Sequence, residues 1–298
     1  MKDEDIRDKV DIRDEDIRRL NFIRDAGRYV FRKHFRQGLR SRIMAVLDAD
    51  DVVRETSGEM VDGIRVFPRA RPRKMLRIFT KRFERSAHAH EEARTYKIIE
   101  AGLGNRHVAT SSEFIVTYRR TGRGRPWEIV LCGLQEYVAG EILDPWGFFY
   151  EKHLEALCSS IQAKDGDPRG HSFENWVRNV RKSAEDLIVR LKEMILKTGF
   201  IPDLSGFGNL ILTPEGDIKL VDINNVSRVV FDDVVRTDDR GYPVCDKSIE
   251  VMAVLEQQLL GRAVDMNALL YRHFLDTERT NQVKILEEKF YAAHSGGA

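Results

Sequence analysis

Two carboxylates and a carboxamide bracket one short apolar hairpin in this chain, and their types and spacing set the chemistry to look for. Asp203 and Leu204 are followed by Asn209, which opens the apolar run Leu210 to Leu212. The turn Pro214-Glu215-Gly216-Asp217 leads into a second apolar run, Ile218 to Val221, which ends on Asp222. Apolar runs on either side of such a turn read as a β-hairpin. Its mouth then carries Asp203, Asn209 and Asp222. Phosphoryl transfer uses a set of this kind: one carboxylate orients an attacking hydroxyl, while an Asn and an Asp hold Mg²⁺ on the phosphates. Asp and Asn are also ordinary turn residues, so the same letters suit a plain meander.

The elements that must position such a set can be read on either side of it. Met75 to Phe79 is an apolar strand interrupted by Arg77, and His90 to Ile99 reads as helix with Ala93, Tyr96 and Ile99 on one face and Glu92 beside them. A strand arginine can bind a helix carboxylate or a phosphate through two parallel hydrogen bonds. Lys81 shares the face of Arg77 by period-2 counting and is the alternative. Phe114 to Tyr118 and Glu128 to Leu134 read as strands joined by the turn Arg119 to Pro126. The second strand runs into Gln135-Glu136-Tyr137-Val138-Ala139-Gly140. Helical spacing covers Phe148 to Ile161 and Phe173 to Thr198, with Gly199 as the residue that ends the second helix. Beyond Asp222 come Val226 to Phe231, a polar stretch from Asp232 to Pro243, and a helix from Lys247 to Leu260. Asp246, just before that helix, reads as an N-cap and as a brace for the Asp203 loop, and the two roles are compatible.

Taken in this order, the pieces resemble the protein-kinase-like superfamily, over roughly residues 52–275. The thirteen-residue step from Asn209 to Asp222 matches that family's catalytic and metal-binding segments. The small-lobe pieces are similar to small-molecule kinases of the aminoglycoside-phosphotransferase type, and the abbreviated architecture to bacterial lipopolysaccharide kinases and the YrbL-like group. The resemblance implies ATP and Mg²⁺ as cofactors. It implies Asp203 as the catalytic carboxylate, Asn209 and Asp222 as the metal ligands, and Arg77 with Glu92 at the phosphates. Glu136 and Val138 would offer backbone groups to adenine where the chain passes between lobes. Arg77, rather than Lys81, is expected to pair with Glu92, because apolar residues flank Arg77 on both sides. The chain departs from the family in several places. Ile201 stands where a His is usual, and the step from Asp203 to Asn209 is six residues rather than five. Asn224 replaces a Gly, and there is neither a G-x-G-x-x-G loop nor an Ala-Pro-Glu motif. Gly58 and Gly63 are the candidates for a degenerate phosphate-covering loop.

The N-terminal part is charged. Residues 3–7 recur at 14–18 and read as a solvated helix held by i,i+4 pairs. Tyr29 to Leu47 carries Phe31, Phe35, Leu39, Ile43 and Leu47 at four-residue spacing among Arg32, Lys33, Arg36, Arg40 and Arg42, which reads as a basic amphipathic helix. Such a helix either packs on the small lobe with a wet basic back or attaches to an anionic membrane surface or to nucleic acid through residues 28–47. Val52 to Arg73 reads as short strands broken at Ser57-Gly58 and Asp62-Gly63. In total, 49 Lys and Arg face 48 Asp and Glu, a net charge of +1, so nothing in the overall charge favours a polyanion and nucleic acid is disfavoured as a partner. Three dispersed cysteines lack metal-ligand spacing, and Cys132 reads as a core residue. No apolar run reaches transmembrane length and the N-terminus lacks a signal core, so the expected location is cytoplasmic, peripheral at the inner membrane face if 28–47 attaches.

The expected fold is α+β: a two-lobed protein-kinase-like fold with a small β-rich N-lobe and a mainly helical C-lobe. The division is 1–51 charged and amphipathic basic helices, 52–134 N-lobe, 135–275 C-lobe, and 276–298 a C-terminal helix with a flexible tail. The expected activity is phosphoryl transfer from ATP to a hydroxyl acceptor. The segment after Asp222 is short for docking a peptide, which favours a small molecule or sugar over a protein acceptor. The rivals are a pseudokinase serving as a nucleotide-binding or scaffolding module, a polyanion- or membrane-binding protein led by the basic N-terminal region, and the same fold with ATP bound inverted for nucleotidyl transfer.

Overall fold

Strand-forming residues dominate the first half of the chain and amphipathic helices the second, and the computed structural model is accordingly mixed α/β. It describes residues 5–9, 11–20, 22–34, 40–118, 127–147, 149–165 and 172–294. The chain divides into two compact units, the first made of 1–94 and 110–137 and the second of 95–109 and 138–298. Among the described residues no helix is long and apolar enough to cross a membrane.

The first unit is built on a five-stranded antiparallel sheet. Its strands are β1 (Tyr29–Lys33), β2 (Ser41–Asp48), β5 (Lys74–Phe79), β7 (Glu128–Glu136) and β6 (Ser111–Tyr118), neighbours in that order. Between β2 and β5 are inserted helix α2 (Ala49–Ser57) and the hairpin β3 (Glu59–Val61) and β4 (Ile64–Val66). Helix α3 (Ser86–His107) follows β5 and breaks at Gly104, which has φ 74° and ψ 167°. Period-2 alternation sends Met44, Val46, Leu76, Ile78, Val130 and Cys132 to one face of the sheet. There they meet Ile6, Ile12, Ile17 and Leu20 from the N-terminal segment. Cys132 is fully buried as expected, and burial pushes its thiol up to about 12.

Three expectations for this region are corrected. The basic helix over 29–47 does not form: Tyr29–Lys33 and Ser41–Asp48 are paired strands, with Phe31 opposite Val46, and residues 35–39 lie outside the described residues. Four-residue spacing satisfies a strand as well as a helix, because four is a multiple of the strand period. The β-branched and aromatic content decides for the strand. The membrane attachment expected through 28–47 therefore loses its helix. The first twenty residues are not a solvated helix either. Among the described residues of this stretch only α1 (Asp14–Arg18) is helical, with the i,i+4 pair Asp14–Arg18, while Asp5 and Arg7 are buried and paired at 2.7 Å, with Arg7 also bonded to Glu128. Finally, residues 49–57 form a helix rather than a strand, capped by Asp48, whose side chain accepts from Asp50 N at 3.0 Å, with Asp50 and Asp51 in its first turn. The β-rich unit thus includes residues well before 52. The turn expected over 119–126 lies outside the described residues.

The second unit is mainly helical. Its helices are α4 (Glu151–Asp165), α5 (Phe173–Thr198), α6 (Val244–Gln258), α7 (Leu269–Phe274) and α8 (Thr277–His294). The flexible tail read at 295–298 lies outside the described residues. Helix α5 buries Trp176, Val180, Ala184, Leu187, Leu191 and Ile195 along one stripe, is capped by Ser172, and ends at Gly199 in the left-handed conformation. It delivers the chain to β9 (Phe200–Pro202), which pairs with β12 (Val226–Arg228). Between them, β10 (Leu210–Leu212) and β11 (Ile218–Leu220) form the expected hairpin, and β8 (Glu141–Ile142) lies on the other edge of β10. Residues 95–109 join this unit through Val108, bridged to Leu220, and through His107. The His107 ring is bonded to Ile218 O at 3.0 Å and Asp186 Oδ2 at 2.8 Å.

Candidate active site

Asp203, Asn209 and Asp222 come together within the second unit. Asp203 is the first residue past β9, and its N–H donates to Asn225 O at 2.9 Å, which carries the β9–β12 ladder one step further. Asn209 precedes β10, and its C=O accepts from Val221 N at 2.8 Å, which ties it to the strand leading to Asp222. The Asn209 side chain donates from Nδ2 to the Asp203 carbonyl at 2.9 Å. These bonds hold the two ends of the hairpin against the Asp203 loop.

The Asp203 carboxylate is divided between two environments. Oδ1 accepts from Ser205 N at 2.9 Å, Ser205 Oγ at 2.7 Å and Gly206 N at 3.2 Å. Oδ2 faces one longer contact, from Asn225 Nδ2 at 3.3 Å, and the same amide reaches Asp238 Oδ2 at 3.3 Å. Burial raises the Asp203 pKa above its ordinary value, the Ser205 bonds oppose the rise, and the nearby Asp222 charge adds to it. Asp222 accepts from Asn224 N through Oδ1 at 3.2 Å. Gly206 is required by close approach: a Cβ there would lie 2.5 Å from Asn209 Nδ2.

The brace for this loop is Ser248, not Asp246. Leu204 N donates to Ser248 Oγ at 3.1 Å, and both residues are fully buried. Asp246 lies in the first turn of α6 and binds Arg279 through both carboxylate oxygens, at 2.6 and 3.4 Å. Burial raises its pKa and Arg279 opposes the rise. Sequence reasoning also missed Trp146, whose Nε1 donates to Ser205 O at 3.1 Å and whose ring lies 4.1 Å from Lys247 Nζ. Lys247 is held by Glu250 and Glu287 at 2.8 and 3.1 Å. Neither Ser248 nor Trp146 has a local sequence signal as a loop partner, since they meet Leu204 and Ser205 across 44 and 59 residues. Phe207, between the two glycines of the loop, is 73% exposed.

Arg77, Glu92 and Glu136 belong to the first unit, and Val138 begins the second stretch of the other. Glu92 has Lys81 as an ion-pair partner at 2.5 Å, the residue weighed beside Arg77 for that place. Lys81 lies just past β5, where a long flexible side chain can swing to the helix. Arg77 is 2% exposed on the sheet face that also carries Ser41, to whose Oγ it donates at 3.4 Å, and its guanidinium lies 5.7 Å from the Phe79 ring centre. Glu136 ends β7, with its N–H donated to Thr110 O at 2.9 Å and its carboxylate accepting from Thr110 Oγ1 at 2.8 Å. Gly58 and Gly63 lie in the inserted hairpin region between β2 and β5 rather than between the first two strands. In comparisons with known proteins, no family model and no curated sequence matches the chain.

Proposed function

We propose that this protein is an ATP- and Mg²⁺-dependent kinase of two-lobed protein-kinase-like fold that phosphorylates a hydroxyl group. The observation that carries the reading is the convergence of Asp203, Asn209 and Asp222 on one hairpin mouth, tied by the Asn209–Asp203 bond at 2.9 Å. The order of elements adds support. The third strand of the sheet in chain order carries Arg77, a helix with a paired Glu92 follows, and two more strands lead to the segment 134–140.

The donor set fits Mg²⁺. Asn209 spends its amide N–H on Asp203 and keeps the amide oxygen as an acceptor, and Asp222 supplies a carboxylate, so both can offer the oxygens that a hard cation takes. Bound there, the ion would neutralise charge on the phosphates. The chain's own residues do the rest. Ser205 and Gly206 fix Asp203 through Oδ1, which leaves Oδ2 as the oxygen to accept a hydrogen bond from the acceptor hydroxyl. Trp146 and Ser248 fix the loop backbone from outside. Past β12 the chain reaches α6 by Val244 with no helix among the described residues, a short segment that favours a sugar or other small hydroxylated acceptor over a peptide.

The test is mass spectrometry of the protein incubated with Mg-ATP, alone and with cell extract, beside titration of ATP with and without Mg²⁺. Asp222→Ala should abolish Mg-dependent ATP binding while melting as the parent does, because the side chain is only half-buried. Unchanged metal-dependent affinity in that variant would refute the assignment.

A further inference from the structure

We propose that the β3–β4 hairpin and the arginine-rich stretch after it, residues 59–74, dock the protein on an anionic lipid surface. The inference is independent of the kinase reading. Residues 60–67 are exposed without interruption, and they include Met60 (59%), Ile64 (68%) and Phe67 (59%) with Val61 and Val66 beside them. Scattered exposed apolar residues are ordinary, but a contiguous patch marks a contact surface.

The geometry of the hairpin selects the partner. In its register Val61 pairs with Ile64 and Met60 with Arg65, so Val61, Ile64 and Val66 share one face. Met60 and Arg65 are on the other, where Arg65 and Phe67 both lie against Gly58. Apolar side chains therefore project from both faces. A rigid protein surface would cover one of them, whereas a fluid interface closes round both. The charges agree with lipid headgroups. Residues 59–74 carry five cations, Arg65, Arg69, Arg71, Arg73 and Lys74, against Glu59 and Asp62, a net of +3 in a chain whose total is +1. All five cations are exposed, while Ala70 between them turns inward at 6%. Polybasic segments beside apolar anchors bind anionic bilayers in this way. The element is fastened to the helix before it, by Arg65 Nη1 to Ser57 O at 2.9 Å and Ala70 N to Glu55 Oε1 at 3.2 Å. Asp62 at the turn opposes deep entry, so the hairpin would lie in the headgroup region rather than cross it.

Flotation of the full chain with phosphatidylcholine vesicles, with and without phosphatidylglycerol, tests the proposal. Binding is expected to the anionic vesicles only, and it should weaken as salt rises. Ile64→Asp with Val66→Asp, both on exposed side chains, should weaken it at least tenfold with an unchanged melting curve. Arg69→Ser and Arg71→Ser should each weaken it about fivefold. Ile64→Trp should show blue-shifted emission on anionic vesicles. Failure of the parent to float, equal binding to neutral vesicles, full binding by the Asp variant, or unshifted Trp emission would each overturn the proposal. Equal affinity for double-stranded DNA at matched charge would also overturn it, assigning the stretch to polyanions in general.

Discussion

Replacing Gly206 with Ala adds one methyl group directly against the candidate metal ligand. The new Cβ would stand 2.5 Å from Asn209 Nδ2, 3.0 Å from its Cγ and 3.1 Å from its Oδ1, where ordinary contact begins at 3.4 Å. The amide must therefore retreat by about 0.9 Å (3.4 − 2.5), which is enough to break its 2.9 Å bond to the Asp203 carbonyl. Losing that bond costs about 0.5–1.5 kcal/mol, and forcing a methyl into packed space about 1–3 kcal/mol. Gly206 is not in the left-handed region, so Ala also gains about 0.4–1 kcal/mol by restricting the unfolded chain. The net loss is about 0.5–4 kcal/mol, or roughly 1–16 °C in melting temperature. A double-mutant cycle isolates the cause, because all three crowded atoms vanish in Asn209→Ala. In that background Gly206→Ala should be nearly neutral, and in the parent it should also weaken Mg-dependent ATP binding. The same penalty in both backgrounds would refute the contact as the reason for this glycine.

Other consequences are open to measurement. Asp203→Asn should retain ATP binding and lose turnover by about 10²–10⁴-fold; near-normal transfer would reduce Asp203 to a turn residue. Ser248→Ala removes the acceptor for the buried Leu204 N–H and should cost about 1–3 kcal/mol in urea denaturation, with no change if Ser248 is not the brace. Asp5 is buried, which raises its pKa, yet its bonds to Arg7 outweigh that and bring it from 3.8 to about 2. Its stabilisation is complete above pH 3.8 and lost as pH falls through about 2, on the order of 2 kcal/mol. Urea midpoints of the parent should therefore fall over that window more steeply than those of Asp5→Asn.

The parts legible in the sequence were those whose signal is local. Helix α5 carries its own apolar stripe and a terminal Gly199, and it was read as Phe173 to Thr198, as it is found. The strands around residues 75–79, 114–118 and 128–134 and the hairpin at 210–220 declared themselves through apolar runs and turn residues. The convergence of Asp203, Asn209 and Asp222 followed from that hairpin alone. Asp48, with Asp50 and Asp51 behind it, was a readable helix start that was passed over for a strand. Ile6, Ile12 and Ile17 cover a sheet face, but the dense charges around them mask the apolar pattern. That Lys81 meets Glu92 depends on side-chain reach past a strand end, which residue type and spacing do not fix.

The division of the chain bears on how the protein is made and cut. Residues 95–109 belong with 138–298, although 110–137, which belong elsewhere, are synthesised in between. His107 must wait for Asp186 and Ile218, 79 and 111 residues further on, so the helical unit cannot complete itself until the chain has been synthesised well past β11. A gene fragment starting at Val138 would lack the strip that caps Leu220 and should fold poorly by itself. A protease nick between Tyr137 and Val138 in the finished protein is a different matter, because residues 95–109 would still hold the two pieces together. Exchange of halves between related chains would have to respect an interleaved border instead of a single cut.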